Sequence, residues 1–179
     1  MPLDIGIGIL AALGVAELFE FQATPLFIAA GIAFALLPDI DVIPAELTKN
    51  LSIHRTYTHY PIFYVAGFLF LLFLGFPEWG TLFLVGGLLH LIHDTVGLGC
   101  GISWLWPITP RKFRFFPDKE GKISSQFFMT WMPEEEPALI RAHHNPHWVR
   151  DFYFRPNIVA YVEYGGLLVA LIVLYLYFT

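Results

Sequence analysis

Five apolar runs, at about residues 5–19, 24–37, 61–76, 80–96 and 158–178, constrain this chain more than any other feature, because so much apolar surface must be buried in protein or in lipid. A helix that crosses a bilayer needs roughly 20 mainly apolar residues, with a usable range of about 17 to 25. The last run meets that length, while the first two are short and suit tilted or partly re-entrant segments. Charged residues make up 14% of the chain and mean hydropathy is +0.62, against roughly 25% charged residues in an ordinary soluble domain. The expectation is an all-α integral membrane protein, a small bundle of about five hydrophobic helices. Gln22-Ala23-Thr24-Pro25 and Pro77-Glu78-Trp79-Gly80 provide turns with Pro near a helix start, which gives two helical hairpins and a final helix.

A chain of 179 residues fits one membrane domain, residues 1–179, rather than two. Residues 99–157 are too polar to span, and their many Trp, Phe and Tyr suit a cytoplasmic or interfacial insertion at headgroup depth, where amphipathic rings are favoured. Such a segment can act as a lid or as a small folded cap. No Lys or Arg precedes the first apolar run, unlike the basic start of a secretory signal, so that run reads as a retained helix.

The basic residues set an orientation. Lys49 and Arg55 lie in the second connection, and Arg111, Lys112, Arg114, Lys119, Lys122, Arg141, Arg150 and Arg155 lie in the fourth. With five crossings these connections share a face, which the positive-inside tendency makes cytoplasmic, with the amino terminus inside and the carboxyl terminus outside. The expected location is the cell (inner) membrane, and nothing in the composition points to nucleic acid.

Three clusters of metal-ligand residue types fall on that same face: Asp39 with Asp41, His54 with His59, and His90 with Asp94. Asp39 and Asp41 sit in a Pro-bracketed turn and alone fit a solvated helix terminus as well as a cation site. His54 and His59 flank Arg55, Thr56, Tyr57 and Thr58, and neutral imidazole is a common metal ligand. His90 and Asp94 are four apart, so on a helix they share a face and can grip one ion, or simply hydrogen-bond to each other. An ionisable group at membrane depth is costly and needs a partner. With one cysteine, Cys100, neither a disulfide nor a Cys-rich zinc site can form, so any metal must use His and carboxylates. Six candidates, Asp39, Asp41, His54, His59, His90 and Asp94, exceed the four of a tetrahedral zinc site and leave room for one or two ions, zinc, manganese or iron. Arg55, stabilising negative charge, and Asp41 are the candidate catalytic residues. His93 points to another helix face, His143, His144 and His147 read as surface histidines near a membrane, and Glu134, Glu135 and Glu136 as a solvated helix start after Pro133.

Leu37-Pro38-Asp39-Ile40-Asp41, His54-Arg55, Thr58-His59, His90 with Asp94, and Leu105-Trp106-Pro107, taken in order over the first two thirds of the chain, resemble the YdjM/YbcI-like family of inner-membrane metal-dependent hydrolases. That family is distantly similar to zinc-dependent phospholipase C and the zinc single-strand nucleases, so the resemblance implies phosphoester hydrolysis on a lipid or lipid-linked substrate. One departure stands out. Family members often carry a His near the amino terminus, and here none precedes His54, Asp4 being the nearest polar candidate. A divalent-cation carrier or sensor, and a membrane scaffold without catalysis, are the alternatives from other classes.

Overall fold

The computed structural model describes residues 2–48, 55–96, 101–115, 128–138 and 147–179. Helices form over all five apolar runs: α1 (Pro2–Leu18), α2 (Pro25–Leu36), α4 (Pro61–Phe73), α5 (Pro77–Thr95) and α7 (Ile158–Phe178), with shorter α3 (Val42–Thr48) and α6 (Trp148–Tyr153) between them. Proline opens α2, α4 and α5, where its missing N–H would have had no intrahelical partner. At α2 the Thr24 side chain also accepts a hydrogen bond from the Phe27 amide, 3.2 Å away. Gly75, at φ +83, ends α4 in the left-handed conformation: its amide reaches the Leu72 carbonyl and the Phe76 amide that of Leu71, which satisfies carbonyls the helix leaves open.

Two expectations change. After α2 the helical path does not stop at the acidic turn. It tightens into a 3-10 segment, Leu37–Asp41, and continues into α3. Pro38 removes a donor and crowds the preceding turn, which favours tighter winding, while Pro44 falls in the first turn of α3, where no intrahelical donor is needed. Pro25–Ala45 and Ile158–Phe178, each of 21 residues, are therefore the two described stretches long and apolar enough to cross a membrane. The protein is mostly α-helical with two candidate spans, rather than clearly the bundle of about five expected.

Nor is it all-α. Within the aromatic-rich insertion β1 (Lys112–Phe115) pairs antiparallel with β2 (Phe128–Trp131), with Lys112 opposite Trp131 and Phe115 opposite Phe128. The alternation of charge and aromatic along Lys112-Phe113-Arg114-Phe115 is a period-two pattern that masquerades as interfacial loop when only composition is read.

The chain forms two compact units. The first comprises residues 1–38, 62–90 and 162–179 and holds the apolar core, Ile9, Leu13, Ala16, Ala23 and Ala170 on one side of α1 and Ala11, Ala12, Val15, Phe27 and Leu82 on another. Small residues set how closely its helices approach. A Cβ on Gly8 would collide with the backbone of Gly31 and Ile32, and one on Gly87 would enter the Tyr64 ring. The second unit, residues 39–61 and 91–161, contains α3, the 3-10 turn Tyr57–His59, the end of α5, the hairpin and α6. Its polar interior includes Lys112 Nζ, buried 2.6 Å from Glu136 Oε1, so Glu136 is not the solvated residue expected.

Candidate metal centre

In the second unit, His59 is the hub. Its side chain is fully buried, and three carboxylates surround the imidazole. Asp41 Oδ2 lies 3.0 Å from Nδ1, Asp94 Oδ2 lies 3.2 Å from Nε2, and Asp39 Oδ1 lies 4.0 Å from Nε2. Local folding explains the convergence. The 3-10 segment swings Asp39 and Asp41 around its axis, and the short turn Tyr57–His59, anchored by Pro61 at the start of α4, delivers the imidazole.

Asp41 is also the acceptor that shapes the preceding turn. Its Oδ2 takes the backbone N–H of Arg55 at 2.8 Å and that of Thr56 at 3.2 Å. Arg55 adopts φ +63, a conformation uncommon for a residue with a side chain, and the two amides folded around one carboxylate oxygen hold it there. Its guanidinium grips Asp94 twice, Nη2 to Oδ1 at 2.9 Å and Nη1 to the Asp94 carbonyl at 3.0 Å. Charge-assisted pairs of this kind are among the stronger polar contacts.

His90 and Asp94 occupy successive turns of the unbroken helix α5, with ligand atoms within 4.8 Å of each other, as are those of Asp39, His59 and Asp94. In the first unit, His90 Nδ1 is 3.1 Å from Asp4 Oδ1, and both side chains are 1% exposed. The second unit thus offers the His59 imidazole with the Asp39 and Asp94 carboxylates, and α5 carries His90 one turn before Asp94; each imidazole has its Nδ1 against a further carboxylate, Asp41 for His59 and Asp4 for His90. That arrangement fits a divalent cation, since metal-binding histidines commonly present one ring nitrogen to the ion and the other to a carboxylate.

Among the sequence candidates, Asp39, His59 and Asp94 converge, and His90 joins Asp94 through α5. Asp41 stands behind His59, and His54 lies outside the described residues, as do His143 and His144. His147 is exposed at the start of α6. Sequence reasoning left Asp4 as a bare possibility and missed Tyr60 altogether. The Tyr60 ring stacks on Trp106 at 4.5 Å, nearly parallel, which brings the Leu105-Trp106-Pro107 motif against the residue that follows His59. Burial, with the neighbouring Tyr57 and Glu136, raises the Tyr60 phenol above its ordinary pKa of 10.0.

A family model described as YdjM inner membrane protein matches residues 4–179. The chain belongs to this family. It is also 32% identical over 136 residues to the inner membrane protein YbcI of Escherichia coli (strain K12), an alignment covering 69% of this chain and 72% of that protein. No solved structure matches. Membership bears out the resemblance drawn from the acidic, histidine and Leu105-Trp106-Pro107 motifs, and supports an inner-membrane location together with the two candidate spans.

Proposed function

We propose that this protein is a membrane-embedded, metal-dependent hydrolase acting on a phosphoester in a lipid or lipid-linked substrate, with its site at the cytoplasmic face. The observation that carries the metal reading is charge. Asp39, Asp41 and Asp94 set three carboxylates around a buried imidazole, with the Arg55 guanidinium paired to Asp94, a gathering of negative charge and ring nitrogen that suits a divalent cation. Buried carboxylates without such compensation are strongly disfavoured.

In this reading Asp39, His59, His90 and Asp94 are the ligands, zinc being the first candidate and manganese or iron the alternatives. A divalent ion held by them would supply a water of lowered pKa and polarise a phosphoryl oxygen. Arg55, fixed by Asp94 at the edge of the carboxylates, offers N–H groups to charge developing on the phosphoryl oxygens. Asp41, expected as a ligand and catalytic residue, acts here by orienting the His59 ring through Nδ1. Family membership and the spans support a lipid-borne substrate, because a group at membrane depth meets lipids at far higher concentration than soluble esters.

The test is metal analysis of detergent-purified protein together with hydrolysis of phospholipid and lipid-pyrophosphate substrates. The expected result is about one to two ions per chain and turnover that an Asp39→Ala/Asp94→Ala variant loses along with its metal. Turnover unaffected by that variant, or by stripping with chelator, excludes the proposal. Bound metal without hydrolysis, accompanied by metal uptake into liposomes, would establish the carrier reading instead.

A further inference from the structure

We infer that Asp4, on the first helix, is a positioning residue for His90, fixing its Nδ1 side so that Nε2 is the nitrogen presented to a metal, and that Glu163 on the last helix holds Asp4 in place. The inference rests on the metal reading above and extends it to two residues outside the ligand set.

Asp4 is 1% exposed, and its Oδ1 stands 3.1 Å from His90 Nδ1. A carboxylate taken this far from water requires a hydrogen-bonding or charged partner, and the imidazole Nδ1 faces it at ion-pair distance. The resulting pair repeats the one at the other histidine, where Asp41 Oδ2 stands 3.0 Å from His59 Nδ1. Two histidines from different parts of the chain thus meet a carboxylate on the same ring nitrogen. For a histidine used only in packing, there is no reason for that nitrogen to be chosen twice. For a metal ligand there is, because a carboxylate on Nδ1 fixes the tautomer and makes Nε2 a better donor.

Glu163 explains why Asp4 is held so firmly. It is 2% exposed in α7, and its Oε2 accepts the Leu3 amide at 3.0 Å, one of the donors that the start of α1 leaves open. The negative charge also suits the positive end of the helix dipole. Close packing reinforces the contact, since a Cβ on Gly166 would run into the Leu3 side chain and one on Gly6 would lie 3.1 Å from the Gly166 carbonyl. The first turn of α1, and with it Asp4, is therefore set by α7.

The experiment uses full-length protein in detergent, stripped by chelator and titrated with zinc alone, with the His90 ring followed by nitrogen-15 NMR and assigned through a His90→Gln variant. Wild type is expected to bind zinc with His90 protonated at Nδ1 and coordinated through Nε2. Asp4→Asn should weaken zinc binding about 10- to 100-fold with unchanged metal-free helicity, Asp4→Glu should restore part of the loss, and Glu163→Gln should produce a smaller loss in the same direction. Asp4→Asn affinity within twofold of wild type, while Asp39→Asn has lost binding, would overturn this inference and leave the metal reading standing. A wild-type protein that binds no zinc would overturn both. If Asp4→Asn fails to fold, the wild-type ring decides alone: coordination through Nδ1 refutes the inference, and through Nε2 with Nδ1 protonated sustains it.

Discussion

Asp41 carries more of the site than its neighbour Asp39, although the two are equivalent in the sequence. Three donors converge on one oxygen, the amides of Arg55 and Thr56 and the ring of His59. Asp41→Asn keeps the shape but loses the charge and turns one end of the group into a donor. We expect it to lower metal affinity about 10- to 100-fold, as removal of such supporting partners commonly does, measured by zinc titration against a chromophoric chelator. At the buried Lys112 and Glu136 pair, Lys112→Ala should cost about 3–5 kcal/mol by stranding a carboxylate, whereas Lys112→Met with Glu136→Leu should stand much closer to wild type. Thermal melts of the three proteins check the ordering. At this scale the sequence was informative where spacing is local: His90 and Asp94 four apart, or Asp39 beside Pro38. It was silent where partners are distant. Asp4 and His90 meet across 86 positions, and no periodicity announces such a pair.

Elements show the same division. The runs of apolar residues and their prolines located the helices, because burial and missing donors act within a few residues. The tightening at Leu37–Asp41 depends on how α2 and α3 share a path, and composition does not encode it. The hairpin is more instructive. Lys112 and Arg114 are buried while Phe113 and Phe115 are half-buried and Phe128 is exposed, the reverse of the usual alternation. Charges inside and aromatics outside suit an element whose surroundings are headgroups and acyl chains. Between helices, Gly31 meets the Gly8 carbonyl so closely that a side chain has no room. Gly31→Val should destabilise by at least about 1–3 kcal/mol through forced separation of α1 and α2. Gly14→Ala, with nothing within 4 Å of the added carbon, should instead stabilise by about 0.5–1 kcal/mol. Melting temperatures in one detergent compare the two.

For the molecule as a whole, charge placement remains the argument for orientation. All ten Lys and Arg were assigned to two connections on one face, and those described in the second unit are Arg55, Arg111, Lys112, Arg114, Arg150 and Arg155. A reporter that matures only in the cytoplasm should be active at the amino terminus, and a phosphatase that works only outside should be active at the carboxyl terminus. The opposite pattern would move the site to the other side of the membrane. Membership of an inner-membrane family was legible from ordered short motifs, whereas the number of crossings was not, because length and hydropathy settle only two spans.

The amides of Arg55 and Thr56, both folded onto Asp41, have a further use. Their protons exchange with solvent only when that oxygen lets go, so their deuterium uptake is a clock for the integrity of the site that needs neither metal nor substrate. Exchange at these two positions should slow when zinc is added and quicken in Asp41→Asn, giving the site a measurable signal of its own.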